Sequence, residues 1–532
     1  MQELFTIKEA SDWATSYLKK EVTTSNISYL IQYGRIEKIE KDGGTQVAKE
    51  DLITYYGKNN RRKEERWKDK LGQDLNWTLS FSEYTESETT KHVHRLHPYK
   101  GKFIPQLVEY FIDDHIDSFK TEVFFKKGET ILDPFCGSGT TLVQANELGL
   151  NAVGIDVSAF NAHISNSKIG RYDLKDVEKT AKNISEKLDA FLAERQTVEF
   201  ENKLLEELKL FNSKFFPSPE FKLKVRRKEI NEKMYGSEKE KEFLFTYQKL
   251  ISEYGIQLKQ EQSESFLGKW FIKEVRDEID FVFNEIREIK NVATKRILSI
   301  ILSRTIRSCR ATTHSDLGTL LEPQTTTYYC KKHGKICKPL FSISGWFNRY
   351  TKDTINRLAQ FNQLRTETNQ ICLTGDSRTI DIFSELRNKK PDFTKILEER
   401  KIDGVFSSPP YVGLIDYHEQ HAYSYDLFGF ERRDELEIGP LYKGQGKEAR
   451  ESYKQGIAEV LNNCKKYLKE DYNVFLVAND KYGIYPQIVE LAGMQIVNQY
   501  KRPVLNRVEK DRNAYSEIIF HLKEKKIRKN NF

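Results

Sequence analysis

Thr130-Ile131-Leu132-Asp133-Pro134-Phe135-Cys136-Gly137-Ser138-Gly139-Thr140-Thr141-Leu142-Val143-Gln144-Ala145-Asn146 changes character twice. Thr130 to Leu132 is a short apolar run of buried-strand type, the centre is glycine and small polar residues, and Leu142 onward is helical in period. Glycines at 137 and 139 let the backbone pass close beneath a ligand where a side chain would collide, and the helix start beyond them offers oriented amides. A strand, glycine turn and helix in this order predict an open α/β sheet with a small-molecule site at its edge. A bare Gly-x-Gly also occurs in many ordinary tight turns, so the flanking residues carry the weight.

Two further stretches extend the pattern. A second strand, Ala152-Val153-Gly154-Ile155, ends at Asp156. A carboxylate at that tip is placed to accept hydrogen bonds from both hydroxyls of a ribose. Far downstream, Asp403-Gly404-Val405-Phe406 is a strand that runs into Ser407-Ser408-Pro409-Pro410-Tyr411. Two consecutive prolines donate no backbone hydrogen bonds, so this loop leaves the sheet and stays rigid and extended. A rigid loop suits the holding of an aromatic amine, whose lone pair is delocalised into its ring. Acceptors aimed at the amine protons, here Ser408 Oγ and the Pro409 carbonyl, favour a pyramidal nitrogen, and Tyr411 is placed to stack on a base flipped out of a duplex.

Asp133-Pro134-Phe135-Cys136-Gly137-Ser138-Gly139-Thr140 resembles motif I of the DNA amino-methyltransferases, and Ser408-Pro409-Pro410-Tyr411 resembles their motif IV. The resemblance implies S-adenosylmethionine as cofactor, held by residues 133–140 and by Asp156. His97-Pro98-Tyr99-Lys100, followed by Phe103, resembles the His-Pro-x-Lys element that precedes motif I in this family and closes over the methionine end of the cofactor. Gly375-Asp376 resembles the element whose carboxylate reaches the adenine amine; read from the residues alone, Asp376 is equally a helix cap or a turn. A leading serine in motif IV accompanies cytosine N4 methylation in the family, whereas aspartate or asparagine accompanies adenine N6. The order of cofactor element, insert and catalytic loop resembles the α-type arrangement. The expected function is therefore methyl transfer from S-adenosylmethionine to the N4 amine of cytosine in double-stranded DNA, as the modification component of a restriction-modification or similar defence system with a cognate endonuclease as partner. Adenine N6 methylation is the alternative within the class, and a DNA-binding regulator carrying an inactive methyltransferase fold is the alternative outside it.

The chain has 532 residues, more than one core usually serves, so several domains are expected. Residues 1–56 are read as a winged helix-turn-helix module: Ala10, Trp13, Ala14 and Leu18 share a helix face, Thr23 to Ile31 is a capped second helix, and two short strands flank Gly43-Gly44. This segment resembles excisionase and MerR-type domains, whose second helix enters the major groove; a protein-interaction module is the other reading. A connector (57–90) leads to the cofactor half of the methyltransferase domain (91–170). A mainly helical target-recognition insert (171–365), the catalytic half (366–522) and a basic tail (523–532) follow. The fold class is α/β, a Rossmann-like methyltransferase sheet with that insert and the N-terminal module.

A net charge of +7 suits a polyanionic partner without requiring one. Mean hydropathy is −0.65 and no apolar run spans a bilayer, so no membrane association and a cytoplasmic location are expected. Within the insert, Cys330, His333 and Cys337 crowd into eight residues, with Cys309 upstream. The four satisfy the ligand count of a structural zinc site but lack paired Cys-x2-Cys knuckles; buried thiols beside a surface histidine are the other reading. Lys222 to Lys228 is a basic run that either contacts phosphate or forms a solvated helix face.

Overall fold

The computed structural model describes residues 3–18, 21–41, 44–57, 63–259, 265–314, 322–505 and 514–525. The expected wing turn at Gly43 and most of the basic tail lie outside these residues. The chain forms two compact units, each discontinuous in sequence: residues 1–69, 184–282 and 306–346 make one, and 70–183, 283–305 and 347–532 the other.

The second unit is built on a seven-stranded sheet: β1 (Thr130–Asp133), β2 (Asn151–Asp156), β3 (Gln370–Thr374), β4 (Ile402–Ser407), β5 (Leu468–Ala478), β6 (Met494–Pro503) and β7 (Ser516–Glu524). Their order is β3-β2-β1-β4-β5-β7-β6. The first five run parallel, and β7 lies antiparallel between β5 and β6. Period-two alternation sorts the strand residues onto two cores. Leu132, Val153, Leu373, Val405, Val474 and Leu476 pack on one face; Ile131, Ala152, Cys372, Phe406, Phe475 and Val477 pack on the other. Burial on both faces explains why the central strands read as continuous apolar runs rather than as alternating ones.

Strand order reverses between β1 and β4. The chain proceeds from β1 outward through β2 and β3, then returns to the far side of β1 to place β4 there, pairing Ile131 with Gly404 and Leu132 with Val405. No crossover covers the carboxyl ends at such a reversal, which leaves a crevice. The glycine turn after Asp133 and the loop after Ser407 both open into it. The long excursion leaves after helix Ala159–Ile169 and returns at β3, and helices within it, Val292–Ser308 and Ser344–Leu364 among them, are shared in part with this unit.

In the first unit, helices Ile7–Leu18 and Thr24–Gln32 are followed by strands Ile39–Lys41 and Gly44–Ala48 and by helix Lys49–Gly57. Thr23 caps the second helix in a reciprocal box with Asn26. A strand that sequence pattern missed, Leu4–Thr6, pairs with Gly44–Ala48. The basic run lies mostly on helix Glu220–Arg226 and is committed in part to protein partners. Arg226 donates to the Gly34 carbonyl, Arg227 pairs with Glu37 and Lys222 with Glu232. The bonds of Arg226 and Arg227 join the N-terminal segment to the insert, while Lys224 and Lys228 stay exposed.

Phe475 is fully buried, against Phe124, Phe111 and the stacked ring of His521. Phe475→Ala is expected to lower unfolding stability by about 3–5 kcal/mol, measured from the urea midpoint of the full chain; a cost below about 1 kcal/mol would contradict this packing.

Candidate functional site

One cavity lies at the carboxyl ends of β1, β2 and β4, and the sequence-predicted residues Phe103, Pro134, Phe135, Cys136, Gly137, Ser138, Thr140, Asp156 and Asp376 line it. Ser408 and Pro410 line the same cavity. Donor-side and acceptor-side residues therefore share one space.

The turn after β1 is shaped to come close to something. Gly137 has φ +50°, and a Cβ there would sit 2.9 Å from the Tyr99 hydroxyl. Its amide donates to Asp156 Oδ2 at 2.8 Å, and buried Lys168 donates through Nζ to the Ser138 carbonyl at 2.6 Å. Among the described residues the buried Ser138 hydroxyl has no hydrogen-bond partner, and Ser138 lines the cavity.

Asp156 Oδ1 accepts from the Ser158 amide at 2.9 Å and from Asn161 Nδ2 at 3.1 Å. With Gly137, three of roughly four lone-pair positions are filled, which leaves one for an incoming hydroxyl. The expected double bond to both ribose hydroxyls thus needs a protein donor to yield. Burial pushes the Asp156 carboxyl up to about 6, against the lowering effect of these three donors.

Several predicted cofactor residues act differently. Asp133 does not line the cavity: it is 1 % exposed, and its Oδ1 accepts from Ser407 Oγ at 2.5 Å and from the Phe135 amide at 3.2 Å. Burial pushes its carboxyl up to about 6. Gly139 (φ +75°) precedes helix Thr140–Glu147 and admits Ser165, whose Oγ would lie 2.9 Å from a Cβ. That glycine serves helix packing. His97 is fully buried, with Nε2 at 3.0 Å from Ser303 Oγ and Nδ1 at 3.0 Å from the Pro98 carbonyl. Its ring is used to anchor the loop, while Pro98 and Lys100 are exposed outside the lining. Asp376 lines the cavity, but Arg378 donates to both of its oxygens at 2.8–3.0 Å, as does the Arg378 amide to Oδ1. Three N–H groups of Arg378 thus take roughly three of its four lone-pair positions, which leaves one while that fork holds.

In the catalytic loop, Ser408 Oγ donates to the Val477 carbonyl at 3.0 Å. The Pro410 carbonyl accepts from Tyr453 at 2.8 Å, and the Tyr411 hydroxyl donates to Glu517 Oε1 at 2.8 Å. Pro409 is buried and, like Tyr411, lies outside the cavity lining. Tyr99 and Tyr417 line the cavity and stack at 6.0 Å, with Glu437 accepting from the Tyr417 and His418 amides. Sequence pattern placed Tyr99 only as the variable position of the His-Pro element and Tyr417 only within a stretch read for packing or base contact, and it gave no sign of Asn161, because nothing in local spacing says which side chain folds over a distant turn.

In the first unit, Cys330, His333 and Cys337 do come together, but the fourth member is His314. Cys309 is buried at the end of helix Val292–Ser308 and does not belong to the cluster.

A family model described as DNA methylase matches residues 8–167, and one described as RMKL-like, methyltransferase domain, matches residues 124–264. Over 98% of its length the chain is 44% identical to Type II methyltransferase M.MjaII of Methanocaldococcus jannaschii, 97% of which is covered. It is also similar to M.BsoBI of Geobacillus stearothermophilus (36% identical over 19% of each chain). M.MvaI of Kocuria varians is 32% identical over 19% of this chain and 21% of its own.

Because burial raises the Asp156 carboxyl to about 6, its ionised, hydroxyl-accepting form dominates only above that pH. Calorimetric titration with S-adenosylmethionine is expected to show constant affinity above pH 6 and roughly tenfold weakening per unit below it. Asp156→Asn should bind weakly throughout with a shallower slope; an unchanged wild-type affinity at pH 5 would show that the carboxylate does not hold the ligand.

Proposed function

We infer the activity from one premise: the chain belongs to the DNA methyltransferase family. It transfers a methyl group from S-adenosylmethionine to the N4 amine of cytosine in double-stranded DNA. The observation that carries this reading is that Ser408 shares one cavity with Phe135, Gly137 and Asp156.

The unpartnered Ser138 hydroxyl, the close-approach turn at Gly137 and the remaining acceptor position on Asp156 fit the polar end and ribose of S-adenosylmethionine. When bound, that cofactor supplies an electrophilic methyl group. Ser408 is set as an acceptor: its proton is committed to the Val477 carbonyl, so the oxygen lone pairs are what it offers a cytosine amine. Accepting an amine proton draws the nitrogen lone pair out of conjugation with the ring and toward the methyl donor. The bond from Tyr453 to the Pro410 carbonyl and the bond from Tyr411 to Glu517 hold the loop rigid while a base, extruded from the duplex, stacks on Tyr411. No strong base is needed, because the methylated ammonium is acidic. The leading serine favours cytosine N4 over adenine N6 through the family resemblance.

Residues 1–56 and the insert, of which 184–282 and 306–346 lie with them in one compact unit, are the parts assigned to choosing the DNA sequence. The relatives named Type II methyltransferases support a role as the modification component of a restriction-modification system, with an endonuclease as partner in the cytoplasm. Among the described residues no helix is long and apolar enough to cross a membrane.

Mass spectrometry of nucleosides from DNA treated with the protein and S-adenosylmethionine is expected to find N4-methylcytosine alone. Ser408→Ala should cut turnover by about 100-fold or more and leave cofactor affinity within about twofold. N6-methyladenine as product would overturn the choice of base, and undiminished turnover in Ser408→Ala would overturn the role of the loop.

A further inference from the structure

Cys330 and Cys337 sit on the two strands of a short hairpin, Tyr328–Cys330 and Lys335–Cys337, with His333 in the turn between them. Gly334, at φ +63°, donates its amide to the Cys330 carbonyl at 2.7 Å and closes that turn. His333 Nδ1 lies 3.6 Å from Cys330 Sγ and 3.5 Å from Cys337 Sγ. His314 arrives from a separate segment, with Nδ1 at 3.8 Å from Cys330 Sγ and its ring centroid 4.4 Å from that of His333. One ligand-type atom from each of the four lies within 4.8 Å of the other three.

These separations discriminate between a packed cluster and a coordination shell. Zinc–sulfur and zinc–nitrogen bonds of about 2.3 and 2.0–2.1 Å at tetrahedral angles place neighbouring ligand atoms about 3.5 Å apart. The three sulfur–nitrogen distances fall at or within 0.3 Å of that value. The Tyr328 hydroxyl lies 2.7 Å from the same His314 Nδ1, a hydrogen bond that gives way when this nitrogen binds the ion. The hairpin's three-residue strands are held from the helices of the insert, where Asn212 bonds both backbone groups of Ile336 and Tyr329 bonds Glu240 and Glu232. Among the described residues the direct contacts between the hairpin and His314 run through Tyr328, whose hydroxyl accepts from the His314 amide, and through the cluster itself.

We propose that His314, Cys330, His333 and Cys337 bind one zinc ion that pins the segment carrying His314 to the hairpin. Four protein ligands fill a tetrahedral shell and leave no open position, so the ion is structural rather than catalytic. Binding takes both cysteines as thiolates and releases their two protons to solvent, and the charge of the ion is balanced within the site. Cys309 takes no part. The site is independent of methyl transfer, and it stands or falls apart from the choice of base.

Metal analysis of the full-length protein, purified without chelator, is expected to give about one zinc per chain. Cobalt(II) replacement should give the absorption of a tetrahedral centre with two thiolates. Cys330→Ser and Cys337→Ser should lose the metal, and Cys309→Ser should keep it. His314→Cys tests the fourth ligand without depending on a destabilised variant: it should keep about one metal and gain thiolate-to-cobalt charge-transfer intensity. Wild-type protein without bound zinc that also fails to take up cobalt would overturn the proposal. So would a Cys330–Cys337 disulfide by mass spectrometry, or a Cys309→Ser protein that loses its metal.

Discussion

The hydrogen bond from Ser407 Oγ to Asp133 Oδ1 joins residues 274 positions apart, at the carboxyl ends of β1 and β4. Everything functional in the second unit is arranged around the side-by-side pairing of β1 and β4 that this bond terminates. Above Asp133 the chain turns through Gly137; above Ser407 it turns into Ser408 and the two prolines. A buried carboxylate is a costly place to end a strand, as the upward push on Asp133 records. Its satisfaction by a hydroxyl from the next strand couples the geometry of one loop to that of the other. A displacement of β4 relative to β1 would both unpair Asp133 and move Ser408 away from the Gly137 turn.

Much of this was legible from sequence because it is local. Strand, glycine turn and helix are written in consecutive residues, and the paired prolines announce a rigid loop wherever they fall. The sheet's α/β class followed from the same pattern. What local pattern could not convey is which side chains face the cavity. Asp133 and Asp156 both end parallel strands, yet one is turned inward to Ser407 and the other lines the cavity, a difference made by strand register. His97 stands in a motif that resembles a cofactor-closing element, but the partner that captures it, Ser303, comes from a helix in the excursion. Asp376 has the expected place and shares most of its acceptor capacity with an arginine two residues on.

The cysteine cluster gives the same lesson. Counting soft ligands along the chain selects Cys309 as the fourth, because it is the nearest remaining thiol in sequence. That thiol lies outside the cluster, and a histidine beyond it takes the position. The basic run, read as either a phosphate contact or a solvated helix face, has three of its residues engaged by Glu37, Glu232 and the Gly34 carbonyl. Charge counted in sequence does not say how much of it is spent inside the protein.

The pairing of β1 with β4 also sets a timetable. A ribosome adding about 5–20 residues per second needs roughly 14–55 s to pass from Asp133 to Ser407. Throughout that interval the apolar flank of β1 that will receive β4 has no partner, and loop-closure entropy opposes the late return. The first unit, by contrast, has received all three of its segments by residue 346, before β3 or β4 exists. Synthesis therefore delivers the complete raw material of the first unit before that of the sheet, and the nascent sheet stays an open, adhesive edge until its fourth strand emerges.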